Sequence, residues 1–101
     1  MRYFFFTLHR TPKRDTVSDE FAQEILKKHT EYFKRLGKEG RCLVAGPFAN
    51  QKGELGAGCY IFSAETEEQA KNMASEDPLV AEGLYEFKIY EWIKVVPEEK
   101  S

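Results

Sequence analysis

Two segments of the chain, residues 3–10 and 57–64, are apolar on both of their alternating sets of positions. In the first, Tyr3 and Phe5 fall on one side of a strand and Phe4, Phe6 and Leu8 on the other; in the second, Cys59 and Ile61 oppose Tyr60 and Phe62. A strand with one wet face alternates apolar with polar residues, so a strand apolar on both sides belongs inside a sheet with each face covered. Both segments are therefore expected to be central strands.

The remaining segments supply the cover. Residues 19–40 carry Phe21, Ile25, His29, Tyr32 and Leu36 at steps of four and three, the spacing of one helical face. Ser18 or Asp19 can cap that helix, and Gly37 and Gly40 mark its end. Residues 41–46 make a short strand that Gly46-Pro47 terminates, and residues 49–56 form a polar hairpin loop. Thr66 and Gln69 form a capping box for a second helix with a thin stripe of Ala70, Met73 and Ala74. That helix stops before Asp77, because the residue preceding Pro78 is driven out of helical geometry. Residues 84–96 read as a long fourth strand, with Phe87, Ile89, Ile93 and Val95 on one face and Glu86, Lys88 and Lys94 on the other, as suits an edge.

The order β-α-β-β-α-β has one compact solution, a split βαβ pair: an α+β fold with a four-stranded antiparallel sheet and two helices on one face. Its central strands are the first and third, the two that are apolar on both sides. Two helices cover only one face, so the other calls for a second copy packed sheet to sheet, a homodimer. Residues 1–96 are expected to form one domain and residues 97–101 a flexible tail.

Charge and motif content narrow the function. A formal net charge of -2 and a pI of about 5.7 provide no field for phosphate backbones, and the helical Lys and Arg residues alternate with Glu as on a solvated face. RNA-recognition modules share this element order, but Ala57 and Cys59 stand where base-stacking aromatics are needed, so nucleic acid is not expected as a partner. No run approaches membrane-spanning length and the N-terminal apolar run is too short for a secretory signal, so a soluble cytoplasmic protein with reduced Cys42 and Cys59 is expected. Two separated histidines and two unpaired cysteines give no metal site, and GELGAG is not a dinucleotide fingerprint; neither metal nor cofactor is expected.

What remains for an enzyme is cofactor-free proton transfer. His29 lies ten residues before Glu39 and Asp77 ten residues after Glu67, so on two helices sharing a lower edge both stand about 15 Å above it. A carboxylate on one ring nitrogen fixes the tautomer and leaves the other nitrogen to move a proton. The residues alone equally allow His29 to be a hydrogen-bonded interior group and Asp77 to be only the N-cap of a turn opened by Pro78. His9 and Arg10 end the first strand, and Gly46, Pro47 and Phe48 end the second, at the same upper edge. With Tyr32 of the helix they outline a pocket for a small, flat, anionic molecule, with Arg10 as anchor. A catalyst, a non-catalytic binder of such a molecule, and a structural dimer-forming module are the three functional readings.

His29 with TEYFKRL after it, Gly40, Ala45-Gly46-Pro47, Glu68 with Ala70, Asp77-Pro78, Gly83 and Trp92, in this order, resemble the YciI-like (YCII-related) family of small bacterial proteins over about two thirds of the chain. The resemblance implies a ferredoxin-like dimeric α+β barrel and a His-Asp pair as the active site, here His29 and Asp77. Related barrels include muconolactone isomerases and cofactor-free monooxygenases acting on small cyclic compounds, which favours the catalytic reading, an isomerase or lyase type of proton transfer.

Overall fold

The computed structural model describes residues 1–98. Strands β1 (Arg2–Arg10), β2 (Cys42–Pro47), β3 (Gly58–Ala64) and β4 (Tyr85–Trp92) form one antiparallel sheet in the order β2-β3-β1-β4. Helix α1 (Asp19–Lys38) joins β1 to β2, and α2 (Glu67–Ser75) with the single turn α3 (Pro78–Ala81) joins β3 to β4. This is the ferredoxin-like arrangement, and the two strands apolar on both sides are its central pair. Of the tail expected over residues 97–101, residues 99–101 lie outside the described residues.

The strand pleat sorts side chains by parity. Phe4, Phe6 and Leu8 of β1 and Tyr60, Phe62 and Ala64 of β3 pack with Ile25, Phe33 and Leu36 of α1, Ala70, Met73 and Ala74 of α2 and Leu79 of α3. Phe4, Phe6 and Phe62 are fully buried, each contributing about 2 kcal/mol by leaving water. The opposite parity, Phe5, Ile61, Val44 and Tyr90, forms the bare face, where Val44 is 59% and Tyr90 54% exposed.

The helix ends follow their sequence signals. Ser18 accepts the Phe21 N–H and Thr66 the Gln69 N–H, while the Gln69 amide reaches back to the Glu65 N–H, one residue before the cap. Gly40 (φ 77°) and Gly83 (φ 74°) each close a helix in the left-handed region; Arg41 N–H then reaches Leu36 O at 2.9 Å and Leu84 N–H reaches Leu79 O at 3.0 Å, which satisfies carbonyls otherwise left without donors.

Two expectations are corrected. The buried stripe of α1 is Ala22, Ile25, Phe33 and Leu36, whereas Phe21 is 37% exposed, because the stripe passes through Ala22 and leaves Phe21, about 100° round the helix, at its margin. The fourth strand ends at Trp92 rather than residue 96: Trp92 pairs with Tyr3, and β1, which begins at Arg2, offers almost nothing beyond it. Ile93 and Val95 are accordingly exposed.

Candidate functional site

Pro78 shapes the site. By forbidding helical geometry at the preceding residue it ends α2 and leaves Asp77 extended (φ -56°, ψ 124°) as the N-cap of α3. Asp77 Oδ1 accepts the Leu79 N–H at 3.0 Å, and the side chain is wholly buried. From α1, His29 Nδ1–H donates to the same Oδ1 at 2.7 Å. A buried carboxylate is tolerated here because donors from two elements converge on it. Asp77 therefore does both jobs the sequence allows, capping and holding the imidazole.

Aromatic packing fixes the ring. The His29 imidazole lies 4.6 Å from the Phe33 ring centre, and Phe33 meets Tyr60 edge to face at 4.7 Å. Tyr60 stacks on Phe6, and its hydroxyl and Asp77 Oδ2 are buried without a hydrogen-bond partner among the described residues. Burial first, and then the charge of Asp77, push the Tyr60 phenol well above its usual range.

A cavity of about 620 Å³ opens between α1 and the β2–β3 end of the sheet. Leu8, Leu26, Phe33 and Leu79 supply apolar wall, and His29 and Tyr60 belong to its lining. The His29 side chain is 19% exposed. With Nδ1 bonded to Asp77, Nε2 is the ring nitrogen left over, and it has no partner among the described residues. Cys42 also lines the cavity, and burial pushes its thiol up to about 11, so it stays a protonated small apolar group at neutral pH.

Of the other residues singled out in the sequence, Gly46 and Pro47 line this cavity, whereas His9, Arg10, Tyr32 and Phe48 do not. Arg10 bonds Asp15 through Nε at 3.0 Å and through Nη2, because the 3-10 turn Pro12–Thr16 folds back over the end of β1. His9 Nε2 and Thr7 Oγ1 share a hydrogen bond of 2.8 Å on the bare face. The Tyr32 hydroxyl donates to Met73 O at 2.8 Å, and burial followed by the Glu76 charge pushes its phenol up to about 12. Lys34 and Thr30, not singled out from the sequence, do line the cavity. Their signal is a second stripe beside the core one, Leu26, Thr30, Lys34 and Gly37 at steps of four and three.

The sequence matches the YCII-related domain over residues 2–93. The chain belongs to the YCII-related domain family. The uncharacterised protein YjpA of Bacillus subtilis (strain 168) is 37% identical over 75 residues, 74% of this chain and 84% of YjpA. Among solved structures, 5-chloro-2-hydroxyhydroquinone dehydrochlorinase of Burkholderia phenoliruptrix AC1100, in complex with 2,5-dihydroxybenzoquinone, superposes with a TM-score of 0.59 at 19% identity, covering 92% of this chain and 94% of that one. That likeness shows a shared fold. Among the described residues no group of three or more His, Cys, Asp or Glu is placed to hold a metal ion, and no helix is long and apolar enough to cross a membrane.

Proposed function

We propose that this YCII-related protein is an enzyme that moves a proton on a small cyclic organic compound bound in the cavity, with His29 as general acid/base and Asp77 as its positioning residue. The observation that carries this reading is the 2.7 Å bond from Nδ1 of His29, a residue of the cavity lining, to buried Asp77, which leaves Nε2 unpartnered. Because the carboxylate accepts the Nδ1–H, the neutral ring has its lone pair on Nε2. Nε2 takes a proton from a ring carbon or hydroxyl, and Asp77 stabilises the resulting imidazolium. Returning that proton to another atom completes an isomerisation; departure of a leaving group with its electron pair completes an elimination. Neither step requires a cofactor.

A structural neighbour that dehydrochlorinates a hydroxylated ring supports this class of chemistry, and a cavity of about 620 Å³ suits one such ring. The test is turnover of 5-chloro-2-hydroxyhydroquinone and related hydroxylated rings, followed by absorbance and chloride release. His29→Gln should lower kcat at least about 100-fold with an unchanged circular dichroism spectrum. Full activity in His29→Gln overturns the assignment, and binding without turnover by the unaltered protein assigns the cavity to a binder.

The bare sheet face supports a homodimer built through Phe5, Ile61, Val44 and Tyr90. The unaltered protein should sediment as a dimer at micromolar concentration and Ile61→Glu as a monomer. A monomer in both cases removes the dimer from this reading.

A further inference from the structure

The charges around the cavity are one-sided. Among the described residues its lining contains no aspartate or glutamate. Asp77, which holds His29, lies outside the lining, with its bonded oxygen occupied by the His29 and Leu79 N–H groups. Among the described residues Lys34 is the only lysine or arginine in the lining. Unlike Arg2, Arg10, Arg41 and Lys71, which sit in ion pairs, Lys34 makes none with a described residue. Lys34 is an exposed residue of the lining, and an unpaired ammonium beside an apolar wall attracts an anion more strongly than the same group surrounded by water, because the wall lowers the local dielectric. The same walls disfavour a cationic ligand, which would find no carboxylate partner.

We propose that the cavity selects a small ring compound in its anionic form, with Lys34 as the charge partner and hence a specificity-determining residue. This rests on the reading of the cavity as a substrate site and narrows its substrate class to rings bearing an ionised hydroxyl or a carboxylate. Lys34 and His29 both belong to the cavity lining, so a ring held with its anionic oxygen toward the lysine has its remaining edges toward the rest of that lining, the imidazole included. The arrangement gives the site an orientation as well as a preference.

The test is binding by calorimetry in the absence of turnover, using three probes: 2,5-dihydroxybenzoquinone, whose hydroxyls are ionised at neutral pH, benzoate as a carboxylate, and uncharged 1,4-dimethoxybenzene. The unaltered protein should bind one or both anions about tenfold more tightly than the uncharged ring, a preference that weakens with added salt. Lys34→Gln should abolish the preference, Lys34→Arg should retain it, and Lys28→Gln, altered on a part of α1 outside the cavity, should leave it unchanged. Whichever anion carries the preference identifies the ionised group. Equal affinity for charged and uncharged rings, unchanged anion affinity in Lys34→Gln, or no anion binding at millimolar concentration overturns the proposal. Loss of the proton-transfer reading is separable: His29→Gln would then turn over normally, while the Lys34-dependent preference persists.

Discussion

The chain holds two histidines in different settings, and the contrast separates a placed group from a bystander. His29 is anchored through Nδ1 to a wholly buried carboxylate and belongs to the lining of a cavity. His9 shares a hydrogen bond with the Thr7 hydroxyl on the bare sheet face, and its neighbour Arg10 is committed to exposed Asp15. A hydroxyl both donates and accepts, so it imposes no tautomer; an ionised carboxylate only accepts and imposes one. The upper end of β1 is thus polar without being directed, while α1 and α3 together direct one nitrogen.

The largest break in that contrast comes from Asp77→Ala. It removes the cap of α3 and the partner of His29 together, so it should lower stability by about 2 to 3 kcal/mol in urea unfolding and also abolish turnover. Asp77→Asn separates the two roles: its amide oxygen still accepts the Leu79 N–H, so most stability should survive while kcat falls for want of a charge behind the imidazolium. Equal stability of Asp77→Ala and the unaltered chain would show that the cap and the dyad contribute nothing.

Alkaline titration sharpens the comparison from the covered side of the sheet. Cys42 is pushed from 9.0 to about 11 and Tyr32 from 10.0 to about 12, each chiefly by burial. Folded values above unfolded ones mean that the folded chain holds these protons more tightly. Their contribution is complete below the unfolded values and lost as pH rises through the folded ones, so the urea midpoint should fall between about pH 9 and pH 12. Cys42→Ala should flatten the lower part of that fall. The smallest effects belong to the upper end of β1: His9→Gln and Arg10→Gln should leave both the urea midpoint and kcat nearly unaltered. A large loss of kcat in either would move the active region to that end of the sheet.

Much of the fold was legible because the two-sided apolar character of β1 and β3 and the Thr66 and Pro78 punctuation are local signals that packing did not override. The meeting of His29 and Asp77 was legible too, since helix rise alone places them at one height. The pairing of Arg10, which lies outside the cavity, was not legible because its partner Asp15 comes from a 3-10 turn whose reversal no periodicity announces. Lys34 was missed for a different reason: it sits among alternating charges, and only the placement of β2 beside α1 turns that part of the helix into a cavity wall. A cavity is a property of two surfaces, and the periodicity of one helix describes only the first.

The proposed role of His29 requires its proton on Nδ1, and long-range nitrogen-15 NMR of the neutral rings reads this directly, with His9 as the second signal in the same spectrum. His29 should be the Nδ1–H tautomer with an unprotonated Nε2, a preference lost on Asp77→Ala. A neutral His29 in the Nε2–H form would leave no lone pair for the cavity and contradict the proposed role.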